Sequence, residues 1–253
     1  RLGVDIMMCL DQCISTGESY ESIKQAMDRT HLWAALCRES TGTHGRPLFG
    51  IIQGGISEDL RRNSAQLITS LGFEGYAVGG LAVGETKSKM YSIVDLMDQI
   101  LPENKPRYLM GVGSPEDLIE CISKGIDMFD CVLPTRVART GSVFTRTGRI
   151  NLAAPQFRGV KGPVDPGCNC TTCQEYDIGY LNHLFKSKEV LGLRLATLHN
   201  LTFIHSLVSR ARNHILNGSF QSYAKEFLAA YKPTNESARL EQKDKWMKAR
   251  MGN

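Results

Sequence analysis

Short apolar runs alternate along the first half of the chain with longer segments in which apolar residues recur at helical spacing. The strand candidates are 4–9, 47–52, 75–79, 107–112 and 126–132, brief and apolar as buried parallel strands are. Helices are expected between them at 20–40, 57–71, 86–101 and 114–124. Ser19 and Ser57 stand where N-caps belong. Ser114-Pro115-Glu116-Asp117 combines a cap, a first-turn proline and two acids set against the helix dipole. Repeated βα units imply an α/β fold with a parallel sheet covered by helices. Five such strands suit an open sheet or the later strands of a (β/α)8 TIM barrel. The polar residues favour the barrel. Asp11, Gln53, Gly80, Gly111 and Asp130 each fall at the C-terminal end of a strand, the rim on which barrels build their sites. The chain opens at Arg1 directly into an apolar segment, so it is expected to start inside a domain, with the first barrel units upstream.

The rhythm breaks after Asp130. Residues 142–144 and 149–152 read as a β-hairpin, followed by a proline- and glycine-rich stretch at 159–167. Helices are expected again at 174–186, 198–217 and 219–231, with a frayed final dozen residues. The division this suggests is a barrel part with its rim (1–140), a hairpin and zinc-binding subdomain inserted after it (141–200), and C-terminal helices packing on both (201–253).

Hydrophobic residues make up 42% and charged residues 22% of the chain, which excludes disorder as its main state. No apolar run approaches the ~18 residues of a membrane span, and no signal pattern opens the chain. Net charge is only +4, but residues 131–161 hold six basic and no acidic side chains, and 232–253 hold six basic against three acidic. Most charge runs are solvated faces; an acid-free stretch of this length also suits a polyanionic partner.

Three of the eight cysteines, Cys168, Cys170 and Cys173, form a knuckle beside Asp165-Pro166-Gly167. Without a secretion signal, this clustering points to a cytoplasmic protein with a metal site rather than to disulfides. Three thiolates need a fourth ligand to close a zinc tetrahedron. His199 is the expected one, at the start of the helix predicted from 198, whereas His183 would sit mid-helix. Four protein ligands leave no open position, so the Zn2+ is expected to be structural.

The string Asp127-Met128-Phe129-Asp130-Cys131-Val132-Leu133-Pro134-Thr135-Arg136 ends an apolar strand on a carboxylate, followed by a loop that Pro134 terminates and then the basic stretch. Alone, such a carboxylate is most often a cap or an ion-pair partner. Taken together with other segments, the chain resembles the bacterial tRNA-guanine transglycosylases, or queuine tRNA-ribosyltransferases. The resemblance is carried by Phe49-Gly50-Ile51-Ile52-Gln53-Gly54-Gly55, Tyr76-Ala77-Val78-Gly79-Gly80-Leu81-Ala82-Val83-Gly84-Glu85, Tyr108-Leu109-Met110-Gly111-Val112-Gly113, the Asp130 string and the Cys3His set.

That resemblance implies a pentosyltransferase that removes guanine from the tRNA wobble position and inserts a 7-substituted deazaguanine, a step of queuosine biosynthesis. Asp130 would be the nucleophile at the ribose C1′, in a double displacement like that of a retaining glycosidase. Asp11 would accept from the donors of the base edge, and Gln53 and the backbone N–H of Gly80 would serve O6. Glycine-flanked Leu81, through its carbonyl and with Glu85 nearby, would accept from an aminomethyl substituent. Gly79 and Gly111 would line the pocket, and Tyr76 and Met110 would pack on the base. Cys13 and Val83 match the bacterial pattern, which implies preQ1 as the inserted base. Gln12 departs from the acid expected there. Arg136 and Arg139 would contact nucleotides of the anticodon loop beside the target, and a homodimer is expected. The family's general acid/base, an aspartate in an Asp-Ser-Gly-Gly-type loop, has no counterpart here and is expected before Arg1.

Other readings are a non-catalytic, zinc-stabilised tRNA-binding partner subunit of the same family, a TIM-barrel hydrolase of small nucleosides, and a purely structural zinc module. Asp130 with Arg136 and Arg139 speaks against the first, the basic stretch against the second, and the polar strand ends against the third.

Overall fold

Each expected strand and each expected helix between the strands is present in the first part of the chain. The computed structural model describes residues 3–15, 17–41 and 45–233. The order is β1 (Met7–Met8), α1 (Tyr20–Thr41), β2 (Leu48–Ile52), α2 (Glu58–Ser70), β3 (Gly75–Val78), α3 (Lys87–Ile100), β4 (Arg107–Leu109), α4 (Pro115–Ile122) and β5 (Met128–Phe129). All neighbours pair in parallel in the order β1-β2-β3-β4-β5. This is an α/β half-barrel, five strands of the (β/α)8 architecture with helices in every crossover. The strands are shorter than the apolar runs. Val4 and Ile6, expected inside β1, are 45% and 37% exposed; among the described residues β1 pairs with β2 alone.

Strand alternation sorts the residues onto two faces. Gly50 turns to the helices, where Phe73 and Ile68 fill the space a side chain would need. Phe49 turns the other way and lies over Gly75, where an added Cβ would come within 2.4 Å of its ring. The core of this part is Ile51, Ile52, Ala77, Val78 and Leu109 from the strands with Ala65, Ile68, Val94 and Met97 from the helices. Ser19 caps α1 as expected, accepting from the Ser22 N–H at 3.1 Å, and Thr86 caps α3 through the Lys89 N–H at 3.4 Å, whereas Ser57 and Ser114 make no cap bond and hydrogen-bond to Asp59 and Asp117 instead.

The chain divides into two compact units, one ending at Val132 and one beginning at Leu133. The stretch expected to be a loop around Pro134 is a helix, α5 (Leu133–Ala138), with Pro134 in its first turn, where the missing N–H costs nothing. The hairpin β6 (Ser142–Thr145) and β7 (Gly148–Asn151) follows as expected. The helix expected at 174–186 is two: α6 (Thr171–Glu175) and α7 (Ile178–Lys186), parted by Tyr176 and Asp177. The helix expected from 198 starts at Val190, giving α8 (Val190–Leu216), before α9 (Phe220–Ala230). Position 200 lies inside α8, and Asn200 accepts from the Phe144 N–H at 3.0 Å and donates to the Pro134 and Ser142 carbonyls at 2.9 and 3.1 Å. That fully buried amide ties α5, the hairpin and α8 into one body. Residues 234–253, with most of the second basic stretch, lie outside the described residues.

In the first unit His31, on α1, is buried with Nε2 2.9 Å from Ser64 Oγ, which itself accepts the Gln53 backbone N–H at 3.1 Å. Ser64 thus bridges the imidazole and the end of β2. Burial lowers the His31 pKa below its ordinary 6.5. The contribution of the neutral ring to stability is complete above that value and is lost as pH falls through the lower, folded value. Urea unfolding from about pH 8 to about pH 5 should show stability declining below the ordinary histidine range, and the slope should flatten in His31→Gln.

Candidate active site and metal centre

Parallel pairing of Ile51 with Ala77, Ala77 with Tyr108, and Tyr108 with Met128 puts these residues on one face of the sheet. Continued two residues on, the same parity brings Gln53, Gly79, Met110 and Asp130 to the C-terminal edge of that face. Asp130 is exposed there. Its Oδ1 accepts from the Tyr108 hydroxyl at 2.7 Å and from the Gly111 N–H at 3.0 Å. Gly111 has φ +76°, a conformation that favours glycine and aims its N–H at the carboxylate. Within this unit no described donor reaches Oδ2. The carboxylate is oriented through one oxygen and open through the other. Burial, and then the bond to Asp130, push the Tyr108 phenol up, so it remains a donor.

Asp11 and Gln53 meet directly, with Gln53 Nε2 donating to Asp11 Oδ2 at 2.7 Å. The Gln53 amide lies against Gly79 and Gly80. An added Cβ would come within 2.7 Å of Nε2 at position 79 and 2.4 Å of Oε1 at position 80. The two glycines are thus a seat for this amide. Beneath it lies Arg61, fully buried on α2, which donates to the carbonyls of Gly55 (2.8 Å), Ile52 (2.9 Å) and Gly79 (2.8 Å). Burial lowers its pKa to about 10, so it stays a cation at neutral pH. Neither Arg61 nor Tyr108 was expected from the pattern. Tyr108 had a signal, its same-face position two residues before Met110; Arg61 reads in the sequence as one more polar helix residue.

Glu85 accepts from the backbone N–H groups of Ala82 and of Val83, the latter at 3.2 Å. A trans peptide points its C=O opposite its N–H, so the Leu81 carbonyl is directed away from Glu85. The two do not converge on one ligand group; Glu85 holds the loop, in which Ala82 has φ +58°. The Gly80 N–H faces the Cys13 sulfur, whose pKa burial and then Asp11 raise. Tyr76 is a correction. It pairs with Gly50 and Arg107, on the face turned to the helices, and is 3% exposed, so it belongs to the core and not to the Asp130 face. Met110 is half-buried at the edge of that core.

In the second unit the ligand atoms of Cys168, Cys170, Cys173 and His199 all lie within 4.8 Å of one another. His199 Nδ1 is 3.5 Å from Cys170 Sγ and 3.3 Å from Cys173 Sγ. His199 lies within α8 rather than at its start, and still reaches the knuckle because α8 runs alongside it. Arg136 and Arg139 are exposed on and just beyond α5.

A family model described as queuine tRNA-ribosyltransferase matches residues 1–233. A queuine tRNA-ribosyltransferase of Dehalococcoides mccartyi is 51% identical over 251 residues, covering 99% of this chain and 64% of that protein. One of Herpetosiphon aurantiacus is 46% identical, covering 94% and 61%, and one of Moorella thermoacetica is 47% identical, covering 91% and 62%. The chain belongs to the queuine tRNA-ribosyltransferase family. It spans a little under two thirds of the length of these relatives.

For this family member the four-residue cluster is a fit for a metal ion. The separations from His199 Nδ1 match the ~3.5 Å edge of a tetrahedron with ordinary Zn–S and Zn–N bonds. His199 Nε2 lies 2.7 Å from the Phe144 carbonyl, which fixes its proton there and leaves Nδ1 to ligate. A hydrogen bond from Cys173 lowers the Cys170 pKa, toward the thiolate a metal needs. Among the described residues no helix is long and apolar enough to cross a membrane. Cys173→Ser should lower the content of bound metal and reduce the thermal stability of the second unit; elemental analysis and calorimetry read both. Strong chelator should produce the same destabilisation in the unaltered protein.

Proposed function

We propose that this protein, within its full-length form, exchanges guanine at the wobble position of a tRNA for preQ1. The observation that carries the reading is the Asp130 carboxylate, exposed on a strand end, oriented through Oδ1 by Tyr108 and Gly111 and open at Oδ2. That is the arrangement a nucleophile at C1′ requires. Oδ2 attacks C1′ as the bond to N9 breaks. The electron pair leaves with guanine, which takes a proton from a general acid; by resemblance that acid is an aspartate upstream of Arg1. The N9 of preQ1 then gives up its proton to the same acid, now its conjugate base, and attacks C1′, and the ester electrons return to Asp130. Two inversions retain the configuration.

In this reading Asp11 accepts from N1–H and the 2-amino group, while the second Nε2 hydrogen of Gln53 and the Gly80 N–H donate to O6. The Leu81 carbonyl accepts from the aminomethyl group. Glu85 supports the loop carrying Leu81 and Val83, Gly79 keeps room for the Gln53 amide, and Met110 packs on the base beside Gly111. Cys13 and Val83 bound the side of the pocket that sets preQ1 as substrate. Arg136 and Arg139 hold nucleotides next to the target, which an anticodon loop can extrude at low cost. The metal is a structural Zn2+, and the enzyme is a cytoplasmic homodimer.

In the full-length enzyme Asp130→Asn should lower guanine exchange into tRNA by at least about a thousandfold and abolish the covalent RNA adduct seen on a denaturing gel. Exchange that persisted in this variant would remove Asp130 as the nucleophile. Tyr108→Phe should retain binding of tRNA and lower kcat by roughly 10- to 100-fold, the worth of one hydrogen bond to a charged group.

A further inference from the structure

Arg61 is a buried cation whose partners are three backbone carbonyls, and among the described residues no carboxylate lies within ion-pair distance of it. An apolar side chain of similar volume would fill the space without stripping a charge of its water. The three carbonyls belong to the end of β2, the turn after it and the end of β3, so the guanidinium joins three segments. One of them matters for chemistry. The Gly79 carbonyl is the acceptor half of the peptide whose donor half is the Gly80 N–H. A carbonyl that accepts from a cation polarises its own peptide, and the N–H at the far side becomes a stronger donor. This N–H points away from Arg61, toward the Cys13 side of the pocket. The Glu85 carboxylate and the Cys13 sulfur, both at that pocket, lie within the field of Arg61. Low dielectric around a fully buried guanidinium keeps its field from being screened.

We infer that Arg61 is a positioning residue that strengthens the Gly80 N–H as a donor to the exocyclic oxygen of the bound base. The inference rests on the function proposed above and adds a source of specificity to it. The guanidinium sits behind the wall of the pocket and never touches the base. Its effect passes through the peptide bond between Gly79 and Gly80. The same peptide serves the departing purine, whose negative charge spreads onto O6 as the bond to C1′ breaks, so a polarised donor holds the leaving group more strongly than the neutral base. Gly80 has no alternative acceptor to satisfy on the backbone: among the described residues its N–H enters no backbone hydrogen bond.

The test compares free guanine with 6-thioguanine, which keeps N1–H and the 2-amino group but presents sulfur, a poorer acceptor, in place of O6. Dissociation constants are measured by calorimetry on the full-length enzyme, on Arg61→Met and on Arg61→Lys. The unaltered enzyme should prefer guanine by at least about tenfold. In Arg61→Met that preference should shrink by about tenfold, with 6-thioguanine affinity little changed, and Arg61→Lys should restore part of it. Equal weakening of both bases in Arg61→Met is the signature of a merely structural role and overturns the inference, as does an unchanged preference in both variants. If neither variant folds, the unaltered enzyme decides: a preference near one overturns the inference, and one above about tenfold supports it. Binding of neither base by the unaltered enzyme removes the proposed function itself, and the inference with it.

Discussion

The amide of Gln53 occupies the space that side chains at positions 79 and 80 would take, and the rim of the sheet is arranged around that contact. β3 offers Gly75, Ala77 and Gly79 to its inner face, and β2 fills the space with Phe49, Ile51 and Gln53. Close approach is possible because one strand carries the bulk and its neighbour carries none. The same contact fixes Asp11, which reaches the site through Gln53 Nε2, and it brings the Gly80 N–H to the pocket side. From behind, Ser64 holds the Gln53 backbone and Arg61 holds the carbonyls of Ile52 and Gly79. The Gln53 side chain is 4% exposed, yet it bonds Asp11 through one Nε2 hydrogen and keeps the other for a ligand at the site.

Asp130 is held by a different economy. Its strand is only Met128–Phe129, at the edge of the sheet, and little packing orients the residue that follows. Two donors from β4 and the turn after it supply the orientation instead. Both act on one oxygen, which is how a carboxylate is aimed without being used up. Positive φ at Gly111 is part of this, since most side chains there would cost the turn that aims the N–H.

The second unit gathers its ligands by tertiary means. Cys168, Cys170 and Cys173 come together locally, around the N-terminus of α6. His199 arrives on α8, with its ring set by the Phe144 carbonyl of β6. The next residue, Asn200, bonds the strands and α5. Adjacent residues thus join the metal cluster and the hairpin to one helix. A ligand set built this way is formed only when the whole unit is folded.

The order of strands and helices, the parallel sheet, the strand-end position of Asp11, Gln53 and Asp130, and the cysteine knuckle are all determined by local pattern. Apolar period, helix-start residues and ligand spacing depend on near neighbours in the chain, so the sequence by itself carries them. It did not determine which face of β3 carries Tyr76, that Tyr108 and not Tyr76 shares a face with Asp130, or that Glu85 clasps its own loop. It was equally silent on α5 around Pro134, on the break at Tyr176 and Asp177, and on the start of α8 at Val190. Face assignment depends on register between strands far apart in the chain, and a one-residue shift reverses it. The role of Arg61 depends on three carbonyls contributed by separate segments, which only the packed structure brings within reach of one guanidinium.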